Sequence, residues 1–122
     1  MNTSALGKLY RDGEVIVRQG EVGDCMYEIQ AGKVEVIQRK GNLEFCLALL
    51  GEGDFFGEMA LIEREVRSAT VRALGGVRVL SVDKATLLRR IHEDPSLAYR
   101  ILQKMSHRIR VLDDLLGQTK VA

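Results

Sequence analysis

The stretch "GDFFGEMALIEREVRSATVRA", residues 53–73, carries a glycine, a carboxylate and an arginine beside a run of β-strand residues. A phosphate site needs backbone N–H donors, a positive charge and close approach of the backbone. Gly57 would let the chain turn sharply, and the first N–H groups of a helical turn near Glu58 to Leu61 would point at an anion. Arg67 adds a planar fork of donors that matches phosphate oxygens. The stretch therefore predicts a local site for a small anion.

Glu58 indicates which anion such a site would bind. A carboxylate does not belong against a phosphate, but it is a good acceptor for a sugar hydroxyl a few ångströms away. Glu58 and Arg67 together therefore favour a ligand with a hydroxyl beside a single negative charge, as in a ribose cyclic phosphate. A Glu58–Arg67 salt bridge across a loop, with Gly57 serving only a turn, is the alternative interpretation.

The segment from Glu14 to Val82 predicts an all-β region. It consists of short apolar runs, several with period-two alternation, and most are separated by Gly or Asp. Regular turn signals favour a sandwich, jelly roll or barrel. Alternation predicts that Val34 and Val36 face one way, and it predicts a continuous inner face on the next strand from Phe45, Leu47 and Leu49.

After Asp83 the pattern becomes helical and predicts two helices, about 84–93 and 95–116. Asp94 followed by Pro95 matches an N-cap with proline at the first helical position, and Gly117 is a natural stop. Apolar residues recur at alternating spacings of four and three: Ala98, Leu102, Met105, Ile109, Leu112 and Leu116. Such a stripe predicts the buried face of a helix on the sheet, the seam of a homodimer, or both.

Composition narrows the function. The 122 residues allow one domain, 1–122, and the formal net charge of +1 argues against direct nucleic-acid binding. No apolar stretch is long enough for membrane insertion, and no secretory signal is apparent, so a cytoplasmic protein is expected. Cys25 and Cys46 predict buried free thiols. The two histidines, His92 and His107, are predicted to lie on the surface of the helices. Without inward-facing histidine ligands or a nucleophile with its base, neither a metal site nor an enzyme is expected.

The quoted stretch resembles the phosphate-binding cassette of the cyclic-nucleotide-binding domains, the family of the bacterial catabolite activator, the kinase regulatory subunits and the nucleotide-gated channels. The segment "DGEVIVRQGEVGDCMYEIQAGKVEV", residues 12–36, resembles the glycine-punctuated first half of the same β-roll. The resemblance extends over residues 10 to 116, approximately. The glycines and the aspartate in the family's turn positions are Gly13, Gly20, Gly23, Asp24 and Gly32.

The resemblance implies a mainly β protein. Its fold would be an antiparallel β-roll of the jelly-roll, cupin-like type at about 10–83, with a short N-terminal helix and two C-terminal helices. It also implies a regulatory module that binds cyclic AMP or cyclic GMP, without a metal, and couples binding to the C-terminal helix. Glu58 would accept from the ribose 2′-hydroxyl, and Arg67 would pair with the cyclic phosphate. Further ligand-binding residues would be Gly57, Met59, Ala60, Ser68 and Ala69.

Two departures from the family pattern bear on this transfer. Val66 stands where many relatives have proline, which leaves the turn less restricted and removes no ligand group. In the bacterial activator the long helix brings hydroxyl residues to the adenine, whereas here Leu112 and Asp113 lie near that level. Leu112 would cap the base by apolar contact and Asp113 would accept from an exocyclic amine. The alternative interpretation places Leu112 in the helical seam and Asp113 on the solvated face.

The alternatives to a cyclic-nucleotide sensor are an enzyme, a haem sensor, a transcription regulator and an interaction module. A cupin enzyme would need inward-facing His and Glu ligands, and the haem sensors on the same roll usually depart from the Gly-Glu and Arg cassette. A catabolite-activator-like regulator would need a helix-turn-helix domain beyond the long helix. The chain is therefore expected to be a stand-alone sensor or the sensory domain of a longer regulator. A degenerate roll acting as an interaction or dimerisation module is the remaining alternative.

Overall fold

The computed structural model describes residues 6–63 and 66–120, without the side chains of 62–63, 112–113 and 115–120. The chain divides into two compact units, one extending to Ala85 and the other beginning at Thr86. The strands are β1 (Lys8–Tyr10), β2 (Val15–Val17), β3 (Met26–Lys40), β4 (Leu43–Leu50), β5 (Phe55–Phe56) and β6 (Thr70–Val82). The helices are α1 (Glu58–Glu63), α2 (Lys84–Glu93) and α3 (Ser96–Lys120).

The strands form one antiparallel sheet built around the two longest of them. Its order is β1-β6-β3-β4, while β2 also pairs with β6 and β5 also pairs with β3. Register shifts interrupt the β3–β6 ladder on both sides of Ala31, as β-bulges do. The short β5 pairs Phe56 with Tyr27 of β3, and this pairing places the chain that follows β5 beside the start of β3.

The core is formed by alternate residues of these strands, as period-two patterning requires. Val34 is fully buried and Ile29 is 1% exposed. Full burial of one such side chain contributes about 1.5–3 kcal/mol. The remaining members of the buried cluster are Val17, Phe56, Val71, Ala73, Val77 and Val79.

The prediction for β4 was wrong. Phe45, Leu47 and Leu49 are 43%, 55% and 66% exposed rather than forming an inner face. β4 lies at the end of the sheet order, and a register shift opposite Val36 and Ile37 interrupts its alternation. Alternation shows which residues share a face, but it does not show whether another element covers that face. The buried-thiol prediction also fails, because Cys46 of this strand is exposed and Cys25 is only half-buried.

Two helix predictions also need correction. Lys8–Tyr10 is a strand, so the short N-terminal helix is not found among residues 6–14, and residues 1–5 lie outside the description. α3 continues through Gly117 to Lys120, because glycine is only a frequent helix end and its backbone can remain helical. The start of α3 follows the prediction, since Oδ1 of Asp94 accepts from the Ser96 N–H at 3.2 Å and caps the helix.

Candidate functional site

The candidate site begins at the junction between β5 and α1. Gly57 lies between these elements with φ of +79°, a left-handed conformation that glycine adopts without steric cost. The turn sends α1 back over the sheet, and Ala60 and Leu61 become 3% and 6% exposed. The first N–H groups of a helix have no intrahelical partner, and α1 begins directly after this turn.

Arg67 is the buried charged residue at this junction, with 9% of its surface exposed. Its Nη1 donates to the carbonyl of Gly57 at 3.2 Å, and its Nη2 donates to the carbonyl of Cys25 at 3.0 Å. The main chain of Arg67 is also held. Its N–H donates to the Glu21 carbonyl at 2.8 Å, and its carbonyl accepts from the Gly20 N–H at 2.9 Å. The side chain therefore has a defined place beside Gly57.

An aromatic pair lies under the guanidinium. Cζ of Arg67 is 5.6 Å from the ring centroid of Tyr27, within cation–π distance. Tyr27 stacks on Phe56 with centroids 5.1 Å apart, as expected for a cross-strand pair. Burial, followed by a hydrogen bond with Cys25, raises the pKa of Tyr27 to about 12. The phenol is therefore neutral at physiological pH, and it does not compensate the charge of Arg67.

The electrostatics of this site follow from the acceptors of Arg67. Both carbonyls are neutral, so these two hydrogen bonds orient the guanidinium without cancelling its charge. A guanidinium carries five N–H donors in a fixed fork, so donors beyond these two remain for a ligand. The salt-bridge alternative requires the carboxylate of Glu58 as the partner, whereas the acceptors described here are carbonyls. The arrangement suits an anion that arrives with its own acceptors.

The other predicted site residues differ in exposure. Glu58 is half-buried as the first residue of α1, and Met59 is 51% exposed. Ser68 is exposed, and its carbonyl accepts from Nε2 of Gln38 at 3.3 Å, while Ala69 is half-buried. The side chains of Leu112 and Asp113 lie outside the described residues, so their predicted base contacts are not addressed. Gly57 and Arg67 are the predicted residues joined by a hydrogen bond.

Sequence reasoning missed part of this site. The acceptor at Cys25 is a main-chain carbonyl, which no residue type marks. Tyr27 carried a weak signal as an aromatic residue in a strand, but its position under Arg67 depends on the β3–β5 pairing. Gly23 was assigned to a turn, although its φ is not positive. These contacts all come from segments distant in sequence.

A second arginine cluster lies near Arg72, which points away from the face that buries Val71. Arg72 pairs with Glu35 and, at 3.3 Å, with Glu44. The Glu35 hydrogen bond raises the pKa of Arg72. An open cavity of about 530 Å³ lies on this face, lined by residues that include Arg18, Arg39, Arg72 and Glu44. Carboxylates therefore pair with Arg72 here, whereas the described side-chain acceptors of Arg67 are main-chain carbonyls.

Within the described part of the chain, no group of three or more His, Cys, Asp or Glu residues could hold a metal ion. No described helix is long and apolar enough to cross a membrane.

Comparison with known proteins gives a consistent match. The family model for the cyclic nucleotide-binding domain matches residues 8–94. The cyclic AMP receptor protein of Thermus thermophilus is 34% identical over 114 residues, covering 90% of this chain and 53% of the relative. The cGMP-dependent protein kinase egl-4 of Caenorhabditis elegans is 33% identical over 117 residues, covering 86% of this chain and 15% of the relative. The chain thus spans about half or less of these relatives' length.

The fold comparison agrees with the sequence matches. The crystal structure of the Thermus thermophilus catabolite activator protein superposes with a TM-score of 0.78 at 34% identity. The match covers 90% of this chain and 54% of that one. The predicted fold class, a mainly antiparallel β protein with C-terminal helices, is thereby confirmed.

Proposed function

The chain belongs to the family of cyclic nucleotide-binding domains, and from this membership we propose that it binds cyclic AMP or cyclic GMP and couples binding to a rearrangement of α3. The observation that carries the proposal is Arg67. It is a buried cation, oriented by two neutral carbonyls beside the turn at Gly57. The role is regulatory binding rather than catalysis.

The cyclic phosphate is the part of the ligand that this geometry supports best. A guanidinium with donors left over binds phosphate oxygens through charge-assisted hydrogen bonds. Backbone groups of Gly57, Met59 and Ala60, at the turn and the start of α1, would add neutral contacts to the phosphate. Ser68 and Ala69, which follow Arg67 directly, complete the proposed contact set.

The ribose and the base would be bound by other groups. Glu58 would accept a hydrogen bond from the 2′-hydroxyl. Its side chain is half-buried at the start of α1, next to the turn where Arg67 would bind the phosphate. Leu112 and Asp113 of α3 remain the proposed base contacts. Adenine and guanine both carry an exocyclic amine that an aspartate can accept from. Titration with both nucleotides therefore determines the base preference.

Dimerisation through α3 is the second part of the proposal. Leu102 and Ile109 are 63% and 58% exposed, and Met105 lies between them in the seam. Apolar side chains at this spacing favour a helix pair, because two such stripes bury each other. The seam would continue through Leu112 and Leu116, whose side chains lie outside the described residues. The expected partner is a second copy of this chain.

Calorimetric titration tests the ligand. Protein that has been unfolded and refolded to remove carried-over nucleotide is titrated with cyclic AMP and with cyclic GMP, beside the Arg67→Ala variant. We expect binding of at least one nucleotide by the wild type, and binding that is weaker by about 2–5 kcal/mol in the variant. Failure of both nucleotides to bind the wild type would reject the function, and equal binding by the variant would reject the phosphate assignment.

Amide hydrogen exchange tests the coupling. Because a ligand shifts an equilibrium only through different affinities for the two states, exchange in residues 96–116 should change on nucleotide binding. Identical exchange with and without nucleotide would reject the coupling. For the dimer, sedimentation should give a wild-type dimer and a folded Ile109→Asp monomer, whereas a wild type that is monomeric at high concentration would contradict it.

A further inference from the structure

Gly23 lies directly against the guanidinium of Arg67. A Cβ atom at Gly23 would overlap Nε, Cζ and Nη2 of Arg67, well inside van der Waals contact. The backbone of Gly23 does not have a positive φ, so an L-residue can adopt this conformation. Glycine is therefore required here for the space that its missing side chain leaves to the arginine.

The loop that carries Gly23 is fixed to the main chain of Arg67. Hydrogen bonds of 2.8 and 2.9 Å join Arg67 to Glu21 and Gly20, and Val22 forms an isolated bridge with Val66. A methyl group at Gly23 could not move away without breaking these bonds. The overlap would instead be relieved at the end of the arginine side chain, which is the more flexible of the two.

Displacement of the guanidinium would remove the contacts that orient it. The carbonyls of Cys25 and Gly57 accept from its two Nη atoms, and Tyr27 lies under its Cζ atom. All three contacts depend on one position of the guanidinium plane. A shift of about 1 Å is enough to misdirect the fork from a bound anion, since hydrogen bonds weaken steeply as their angles depart from linearity.

We propose that Gly23 is a positioning residue for the anion-binding arginine, and that its lack of a side chain sets the place of the Arg67 guanidinium before ligand arrives. The proposal rests on the proposed function for the identity of the ligand, but the placement of Arg67 is independent of it. Gly23 acts through Arg67 and does not need to touch the nucleotide.

The test of placement uses no nucleotide. The Nε–H resonance of Arg67 is assigned by its absence from the Arg67→Ala spectrum and is compared between wild type and Gly23→Ala. In Gly23→Ala we expect the chemical shift of this resonance to move toward that of an exposed arginine, and its exchange with solvent to become fast. The amide spectrum should remain that of a folded protein. Gly76→Ala is the matched control, because a Cβ there meets nothing within 4 Å and its φ is not positive. That variant should leave the resonance unchanged.

The test of binding uses cyclic AMP and cyclic GMP on the same proteins. Gly23→Ala should raise the Kd about tenfold or more, corresponding to the loss of a well-directed charge-assisted bond. Gly76→Ala should bind like the wild type. In the Arg67→Ala background the added methyl has nothing to displace, so Gly23→Ala/Arg67→Ala should bind no more weakly than Arg67→Ala alone.

The outcomes separate this proposal from the proposed function. A wild type that binds neither nucleotide rejects the function, and the Nε–H comparison still decides the placement. An unchanged Nε–H resonance in Gly23→Ala overturns the placement. A displaced resonance with unchanged nucleotide affinity overturns the positioning role, and so does an equal loss of affinity in Gly76→Ala.

Discussion

Arg67 and Arg72 lie five positions apart in sequence, Arg67 just before β6 and Arg72 within it, yet their surroundings differ in kind. Arg67 is 9% exposed and donates to the carbonyls of Gly57 and Cys25. The side chain of Arg72 is 39% exposed and pairs with the carboxylates of Glu35 and Glu44. Among the described residues, carbonyls orient the first arginine without neutralising it, whereas carboxylates pair with the second.

This difference shows why the cavity near Arg72 is the weaker candidate for an anion. A ligand phosphate there would have to compete with two carboxylates that already bind the guanidinium. At Arg67 it would replace no charged partner among those described, and the orientation is already established. Preorganised charge, more than cavity volume, identifies the site.

Matched lysine substitutions should produce the largest contrast between the two arginines. Arg67→Lys keeps the charge but loses the planar fork, so it cannot serve the two carbonyls and a phosphate together. We expect it to weaken nucleotide binding by about 1.5–3 kcal/mol, the contribution of a hydrogen bond to a charged group. Arg72→Lys should change binding by less than about 0.5 kcal/mol, as for other surface substitutions.

Calorimetry on the two variants measures this contrast directly. Equal losses at positions 67 and 72 would break the distinction between the two sites. A larger loss in Arg72→Lys would transfer the anion site to the cavity beside Arg72.

Glu58 should produce the next largest effect, and only through the ribose. Glu58→Ala should weaken cyclic nucleotide binding by about 1–3 kcal/mol, because one charge-assisted hydrogen bond is lost. The same substitution should have little effect on binding of the 2′-deoxy nucleotide, which lacks the hydroxyl. Glu44→Ala, which removes a carboxylate from the Arg72 cluster, is the control and should affect neither ligand. An equal loss with both ligands would rule out the ribose role of Glu58.

The Arg72 cluster should contribute to stability instead of binding, and only slightly. The Glu35 side chain is 18% exposed and that of Arg72 is 39% exposed, so solvent screens their attraction. A double-mutant cycle between Arg72→Ala and Glu35→Ala should give a coupling of about 1 kcal/mol or less, declining as salt is raised. Urea unfolding at low and high salt measures it. A coupling that salt does not change would show that burial, not surface charge, holds this pair.

Much of this fold follows from the sequence, because its causes are local. Period-two alternation indicated the strands, and the Asp94-Pro95 pair indicated the start of α3. Gly57 was expected at a sharp turn and has a positive φ. Residue chemistry alone also brought Gly57 and Arg67 into one proposed site, and a hydrogen bond joins them.

The rest depends on contacts that composition does not encode. The exposed face of β4 could not be foreseen, since burial depends on what covers a strand and not on its own alternation. The place of the guanidinium is set by the Cys25 carbonyl, by Tyr27 and by the empty space at Gly23, all far from Arg67 in sequence. The sequence alone does not distinguish a glycine that forms a turn from one that leaves room for a neighbouring side chain.

Tyr27→Phe should produce the smallest effect at neutral pH and sharpens the account of the Arg67 site. The ring remains under the guanidinium, so nucleotide affinity at neutral pH should not change. The ionisation of the hydroxyl matters only in alkali. The folded pKa of Tyr27 is about 12 against an ordinary 10.0, so the folded protein retains a proton that the unfolded chain releases. This contribution to stability is complete below pH 10 and is lost as the pH rises through about 12.

Denaturant unfolding of wild type and Tyr27→Phe across this alkaline range tests the origin of the shift. Phenylalanine does not ionise, so the wild type should lose stability relative to the variant as the pH rises. Tyr99→Phe, which removes a phenol from the helical unit, controls for the loss of a tyrosine elsewhere. A difference between wild type and Tyr27→Phe that stays constant with pH would mean that the phenol is solvated. In that case the surface under Arg67 would be wetter than the burial of Tyr27 and its stacking on Phe56 imply.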